Sequence, residues 1–344
     1  KKVGRLTKKD ANIVQSMEES GVEQKSVGSE VEQSEWRSNG RNFTGLVNCL
    51  FVKKLTQQMS DDNVFPSLLS SGGGYYGGRT QEAVTRGKKL GTQLGRKLQV
   101  RSESRTLKNS RLDSGRIDKR LIAELGFGNS KVFSTTFVEN YNDAILHISV
   151  DASGSMGGDK WRNTMTAVVA ICKAASMISG LDVVVSFRTT HHSGNRGGGQ
   201  PMVAIGYDSR VDKFRKIETI WPNLYAGGTT PEGLCYEAIM NDFVPSTSNR
   251  DSYFLNFSDG MPMFGSNDFD YYGHEALQHT KKQVKEISKK GIQILSYFIG
   301  DSYDEERNMN DFKTMYGKDA EFVDVTKVSS LAKTMNNLFL EKGK

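Results

Sequence analysis

Three short segments of this sequence carry hydroxyl and carboxylate side chains at spacings that suit a hard cation. Asp151-Ala152-Ser153-Gly154-Ser155 follows an apolar run, Gly227-Gly228-Thr229-Thr230-Pro231 precedes an amphipathic one, and Asp259-Gly260 follows a second apolar run. Together they offer two carboxylates and several hydroxyls, with no Cys or His. All-oxygen sets of this kind suit Mg²⁺, with Mn²⁺ or Ca²⁺ as the other candidates. The set is also poor in charge. If Ser153, Ser155 and Thr229 supply neutral oxygens, the ion stays electrophilic and seeks one more anionic ligand from another molecule. Thr230 is the alternative to Thr229, because both follow the glycines. Each segment alone also reads as an ordinary turn or cap, which Asp, Ser and Gly favour. Only the combination points to a metal.

Other chemistry has less behind it. Gly73 to Gly78-Arg79-Thr80 nearly spells a phosphate loop, but Arg replaces the lysine, two tyrosines fill the loop and no strand precedes it. His191 and His192 are adjacent and have no third ligand nearby, and His274 and His279 do not share a helix face. Ser153 lacks the Gly-x-Ser-x-Gly context of a hydrolase nucleophile. A hydrolase that activates water on the metal would need more acidic ligands and a base. No catalytic residue is therefore assigned.

The elements that must position the three segments alternate from about residue 143. Strands are predicted over 144–150, 182–187, 201–207, 252–258, 291–300 and 321–325. Helices are predicted over 161–179, 231–243, 274–290 and 327–342, with a short one over 304–316. Strand and helix in alternation predict an α/β fold, a doubly wound and mostly parallel sheet flanked by helices, whose ligand site lies at the C-terminal strand ends. Upstream, residues 1–43 are polar and read as an arm, disordered or leaning on something else. Residues 44–140 read as a basic, mainly helical extension. Within it, 44–59 is predicted as an amphipathic helix begun by Thr44, 70–78 as a linker and 110–128 as a small helical packing element. The segment 80–101 is predicted as a helix with Gly87, Gly91 and Gly95 in one row, a ridge that needs a closely packed partner. Residues 141–344 form the α/β domain.

Asp-x-Ser-x-Ser after the first strand, Gly-Gly-Thr before a helix and Ser-Asp-Gly after a later strand resemble the metal-ion-dependent adhesion site of von Willebrand factor A domains. The likeness covers roughly residues 141–344. It implies a Rossmann-like fold in which Ser153, Ser155 and Thr229 coordinate the metal, and Asp151 and Asp259 act directly or through water. A narrower likeness takes in the basic helix, Ser-Arg-Leu-Asp-Ser-Gly-Arg-Ile-Asp (110–118), and Phe127 and Phe133. These resemble the CobT-type subunit of aerobic cobaltochelatase, homologues of which occur in bacteriophage genomes, although the long acidic tract of the cellular family is missing. This second resemblance implies a subunit that does no chemistry itself. It would couple a MoxR/CobS-type AAA+ ATPase to a client or catalytic subunit that offers an acidic residue, as in cobalt chelation for cobalamin synthesis. The alternative is a structural or assembly protein, for example phage-borne, that uses the metal as an adhesive contact without an ATPase.

Composition bounds these readings. The 344 residues carry 46 Lys+Arg and 40 Asp+Glu, a net charge of +6. Residues 1–140 hold 24 basic and 15 acidic residues (24 − 15 = +9), which leaves 22 and 25 (−3) for the rest. Residues 79–120 alone hold 13 and 4, also +9, without one aromatic residue. That stretch, with Lys88, Lys89, Arg96, Lys97, Arg111 and Arg116, is read as a docking surface for an acidic partner or for another copy in a homo-oligomer. Nucleic acid is not expected as a partner, because the aromatic platforms for single strands are missing. No apolar run spans a membrane, and three scattered cysteines fit a reducing compartment. The expected location is the cytoplasm, or a virion for a phage-borne chain. The absence of an initiator Met predicts a native start further upstream, or a chain cut at this point.

Overall fold

The apolar runs of the C-terminal two thirds assemble side by side into one twisted sheet, and the N-terminal third adds two strands to it. The computed structural model describes residues 8–31, 46–70, 77–102, 106–138, 143–192, 199–266, 269–299, 305–317 and 320–322. In chain order the first elements are α1 (Lys8–Glu19), β1 (Val22–Val27), β2 (Val47–Val52), α2 (Gln57–Asp61) and α3 (Gly77–Ser102). There follow β3 (Thr106–Leu112), β4 (Arg116–Ile117), β5 (Phe133–Val138), β6 (Asp143–Asp151), α4 (Asp159–Ala175), β7 (Leu181–His192) and β8 (Gly199–Asp208). The remainder comprises α5 (Arg215–Ile220), α6 (Glu232–Ala238), β9 (Arg250–Ser258), β10 (Phe264–Gly265), β11 (Asp270–Tyr271), α7 (Gly273–Lys289), β12 (Gln293–Phe298), α8 (Glu305–Tyr316) and β13 (Glu321–Phe322).

The central sheet has eight strands in the order β1-β2-β8-β7-β6-β9-β12-β13. Only the β1–β2 and β7–β8 pairings are antiparallel. β6 and β9, which carry the two aspartates at their ends, are adjacent and parallel in the middle of the sheet. The side-chain period of two sorts each strand between two cores. Leu146, Ile148 and Val150 of β6, Val183, Val185 and Phe187 of β7, and Leu255 and Phe257 of β9 face the core shared with α2, α3 and α4. Ile145, Val184 and Phe254 face the opposite core, under α6 and α7. Helices on both faces and a mostly parallel sheet make this the expected α/β fold. No helix among the described residues is long and apolar enough to cross a membrane.

The N-terminal third departs from its sequence reading. The predicted helix over 44–59 is instead the strand β2, parallel to β8. Its Cys49 and Phe51 enter one core and Leu50 and Val52 the other. A short apolar run buried on both faces has no periodicity that separates helix from strand. Thr44 lies outside the described residues. The helix that does form nearby is α2, whose cap is Thr56: its Oγ1 accepts from Met59 N at 3.4 Å. The polar arm, where it is described, leans on the sheet and is not disordered: α1 and β1 are folded, and β1 closes the sheet edge against β2. Gly28 N, just past β1, donates to the Glu237 carboxylate of α6 at 2.8 Å. The expected helical packing element at 110–128 is mostly strand and 3₁₀ turn. β3, β5 and β4 form a separate three-stranded sheet, and Ile117, Ile122, Leu125 and Phe127 remain exposed. The linker expected at 70–78 and the last helix at 327–342 fall largely or wholly outside the described residues.

The glycine row of α3 does find its partner, and that partner is α4. A Cβ on Gly91 would lie 2.4 Å from the Ala170 carbonyl oxygen and 2.6 Å from Lys173 Cβ. At Gly87 it would meet the Thr166 carbonyl at 2.7 Å, and at Gly95 the Met177 sulfur at 2.7 Å. Two helix backbones are thus in near contact over three turns, and α4 leads back to the Asp151 loop. Gly91→Ala should gain about 1 kcal/mol of helix propensity, yet lose more by collision with backbone that cannot retreat. The expected net loss is about 1–2 kcal/mol in urea unfolding. Gly95→Ala should fall closer to neutral, because a flexible thioether can move aside. A Gly91→Ala protein as stable as wild type would refute the close-packing account.

Candidate functional site

β6 delivers Asp151 to the C-terminal edge of the sheet, where the chain turns through Ser153 and one 3₁₀ turn, Gly154–Met156, into α4. Asp151 is fully buried. Its Oδ1 accepts from Ser153 N at 2.9 Å, and its Oδ2 accepts from the Ser258 hydroxyl at the end of β9 at 3.0 Å. Burial pushes its carboxyl up to about 6, against the pull of Arg188. The carboxylate therefore holds two loops in register, at an energetic cost when ionised.

The other two segments close on this one. Gly154 N donates to the Gly228 carbonyl at 3.0 Å, and Gly227 N donates to the Ala152 carbonyl at 2.8 Å. Thr190 of β7 accepts from Thr229 N through its Oγ1 at 3.0 Å, while Thr189 donates its hydroxyl to the Gly227 carbonyl. Gly228 has φ +82°, and a Cβ there would strike Thr190 Oγ1 at 2.4 Å, so only glycine fits the loop. From the third segment, Asp259 Oδ1 accepts from the Ser155 hydroxyl at 2.8 Å. The Ser153 and Ser155 hydroxyls are 2.9 Å apart. Lys160, in the first turn of α4, donates to Asp259 Oδ2 at 2.9 Å. Gly154, Ser155 and Gly228 are exposed, so the cluster opens to solvent.

Thus Asp151, Ser153, Ser155, Thr229 and Asp259 are brought to one strand edge. Two observations bear on whether they fit a divalent cation. Neighbouring ligands on an octahedral ion with bonds of about 2.1 Å lie about 3 Å apart. The Ser153–Ser155–Asp259 oxygens already stand at 2.9 and 2.8 Å. The Thr229 hydroxyl oxygen is buried and has no hydrogen-bond partner among the described residues. A buried unsatisfied hydroxyl is costly and asks for a ligand. This favours Thr229 over Thr230. Among the described residues no three His, Cys, Asp or Glu side chains group as metal ligands. A cation here would rest on hydroxyls as much as on carboxylates.

Beneath this edge lies a network that the sequence reading missed. Arg188 of β7 pairs with Asp151 in the strand register, and its guanidinium is fully buried. It donates to the Ser149 hydroxyl at 2.7 Å, the Phe257 carbonyl at 3.2 Å and the Glu232 carboxylate at 2.5 Å. Glu232 Oε1 also accepts from Tyr236 and Asn256, and Tyr236 reaches Tyr316 of α8 at 2.7 Å. A lone Arg among the apolar and hydroxyl residues of 183–190 was the available signal. Glu232 was hidden by its place in a helix first turn, where an acidic residue is ordinary.

The basic residues of the expected docking surface fall on α3, β3 and β4. Lys88, Lys89 and Arg96 are exposed on α3, and Lys88 pairs with Glu218 within the chain. The Lys97 side chain lies outside the described residues. Arg111 forks onto Glu124 at 3.0 Å, and Arg116 is exposed on β4. Asn256, one of two N-x-S/T positions, is buried in β9.

Fold and site define an α/β protein with a hydroxyl-rich loop cluster at the C-terminal edge of a mostly parallel sheet. No protein-family model matches the chain. It is 24% identical over 226 residues to the uncharacterized protein YojO of Bacillus subtilis, over 64% of this chain and 33% of that one. The chain thus spans about a third of that relative's length. Among solved structures it is similar to the pilus adhesin SpaC of Lactobacillus rhamnosus GG, with a TM-score of 0.42 and 14% identity over 58% of this chain and 31% of that one. It is also similar to the human COPII-coat protein Sec24c, with a TM-score of 0.31 and 10% identity over 51% of this chain and 28% of that one.

Proposed function

We propose that this chain is a non-catalytic protein-interaction module of the von Willebrand factor A kind, and that it captures an acidic partner through a divalent cation, Mg²⁺ first. The observation that carries the reading is the solvent-open cluster of Ser153, Ser155 and Asp259 oxygens at octahedral-edge spacing, beside the unsatisfied Thr229 hydroxyl. Two carboxylates, one of them already matched by Lys160, leave a bound cation short of negative charge. A partner Asp or Glu would complete its shell. The metal would supply a Lewis-acidic contact point. This chain's own residues orient it: Asp151 fixes the loop, and Thr189 and Thr190 hold the Gly-Gly-Thr turn. In the CobT-like version of this role, the module links a MoxR-class AAA+ ATPase to its client.

The test is affinity capture on the immobilised chain with Mg²⁺, elution by EDTA and identification of what elutes. A Thr229→Val column serves as comparison. Val keeps the shape and removes the unsatisfied oxygen, so the fold should persist and the EDTA-eluted fraction should fall at least tenfold. Equal EDTA-dependent capture by both columns would refute the assignment of Thr229. No EDTA-dependent capture by wild type would refute the function.

A further inference from the structure

The fold itself places a cation, Lys160, in this cluster. It sits in the first turn of α4, directly after the loop that carries Ser153 and Ser155. Its ammonium lies 2.9 Å from Asp259 Oδ2, with side-chain exposures of 24% for the lysine and 2% for the aspartate. The two oxygens of Asp259 are thereby divided: Oδ1 faces the Ser155 hydroxyl and the cluster, and Oδ2 faces the lysine. One carboxylate group separates the ammonium from the cluster. A divalent ion seated on Ser153, Ser155 and Thr229 would feel that charge at short range and in a partly desolvated setting, where repulsion is poorly screened.

We propose that Lys160 is a tethered counter-cation that weakens divalent-metal binding to the bare site, so that the ion and an acidic partner bind together rather than in sequence. The proposal rests on the metal-site reading above and deepens it. By neutralising Asp259 the lysine removes part of the charge that would hold an ion alone. A carboxylate arriving from a partner restores that charge at the ion. Tight binding of metal is thus deferred until a partner is present, and the empty site remains satisfied by its own lysine. A purely structural ion pair, one that only ties α4 to the loop after β9, makes a different prediction: its removal would lower stability and would not improve metal binding.

The experiment titrates Mn²⁺, by electron paramagnetic resonance, and Mg²⁺, by calorimetry, into wild type, Lys160→Met and Lys160→Arg at pH 7.5. Met keeps the aliphatic stem without the charge, and Arg keeps the charge. Lys160→Met should bind either ion at least tenfold more tightly than wild type, and Lys160→Arg should stay within about threefold. Thermal melts without metal report whether each variant folds. A folded Lys160→Met that binds as weakly as wild type, or more weakly, overturns the proposal while wild-type binding keeps the metal site itself. Tight binding by Lys160→Met alone supports the lysine as a lock. If no variant binds either ion, both the proposal and the metal-site reading fall.

Discussion

Arg188→Met should destabilise the protein by about 3–5 kcal/mol, seen as a shift of the denaturant midpoint at unchanged slope. The substitution keeps most of the side-chain volume but leaves Glu232 fully buried with no positive partner. Tyr236 and Asn256 would still donate to its Oε1, yet hydrogen bonds from neutral groups do not replace a guanidinium. Ser149 and the Phe257 carbonyl would each lose a donor as well. The double variant Arg188→Met/Glu232→Leu separates the value of the pair from the cost of breaking it. With both charges gone, it should recover most of the loss, because a buried ion pair is seldom worth much more than apolar packing of the same size. A single variant that costs less than about 1 kcal/mol would mean that water or relaxation reaches Glu232 in the folded state.

That network also shows what the sequence could and could not reveal. The three loops were legible because their residue types are unusual in combination and fall just after or before unmistakable apolar runs. The close packing of α3 was legible because glycine every fourth residue makes little sense in a free helix. β2 was not legible, since TGLVNCLFVKK has the length of a strand and the composition of either element, and only its insertion beside β8 decides. β3 and β4 were obscured in the same way: Leu112, Ile117, Leu121 and Ile122 look like a helical stripe, but Gly115 turns the chain at φ +129°, and Arg116 and Ile117 then pair with Ser134 and Phe133 of β5. Lys160 and Arg188 escaped for a different reason. Their roles depend on partners 99 and 44 residues away, Asp259 and Glu232, and no local spacing encodes such pairs. The same holds for Thr190, which reaches 39 residues forward to hold the Thr229 amide.

The second large effect is expected at Asp151, and it separates a cap from a metal ligand. Asn can reproduce both of its hydrogen bonds: the amide oxygen accepts from Ser153 N, and the amide nitrogen donates to a Ser258 hydroxyl turned to accept. Only the charge is lost. In the metal-free protein that loss is a gain, because the folded-state carboxyl titrates near 6 and the unfolded one near 3.8. The folded state then holds the proton more tightly, so wild-type stability declines as pH rises from about 4 to 6 and stays lower above that. At about 1.36 kcal/mol per unit, the ionised group costs on the order of 3 kcal/mol by pH 7.5, a cost that Asp151→Asn avoids. Melts in EDTA should therefore converge near pH 4 and favour Asp151→Asn at pH 7.5. With Mg²⁺ the order should reverse or close. Wild type gains roughly 2.7 kcal/mol at a hundredfold excess of metal over its dissociation constant, whereas the neutral amide, which leaves Asp259 as the only carboxylate, gains little. If Mg²⁺ stabilised both proteins equally, Asp151 would be a loop cap and the metal would sit elsewhere. If Asp151→Asn were the less stable protein in EDTA at pH 7.5, the buried carboxylate would be earning its place through Arg188 rather than waiting for a cation.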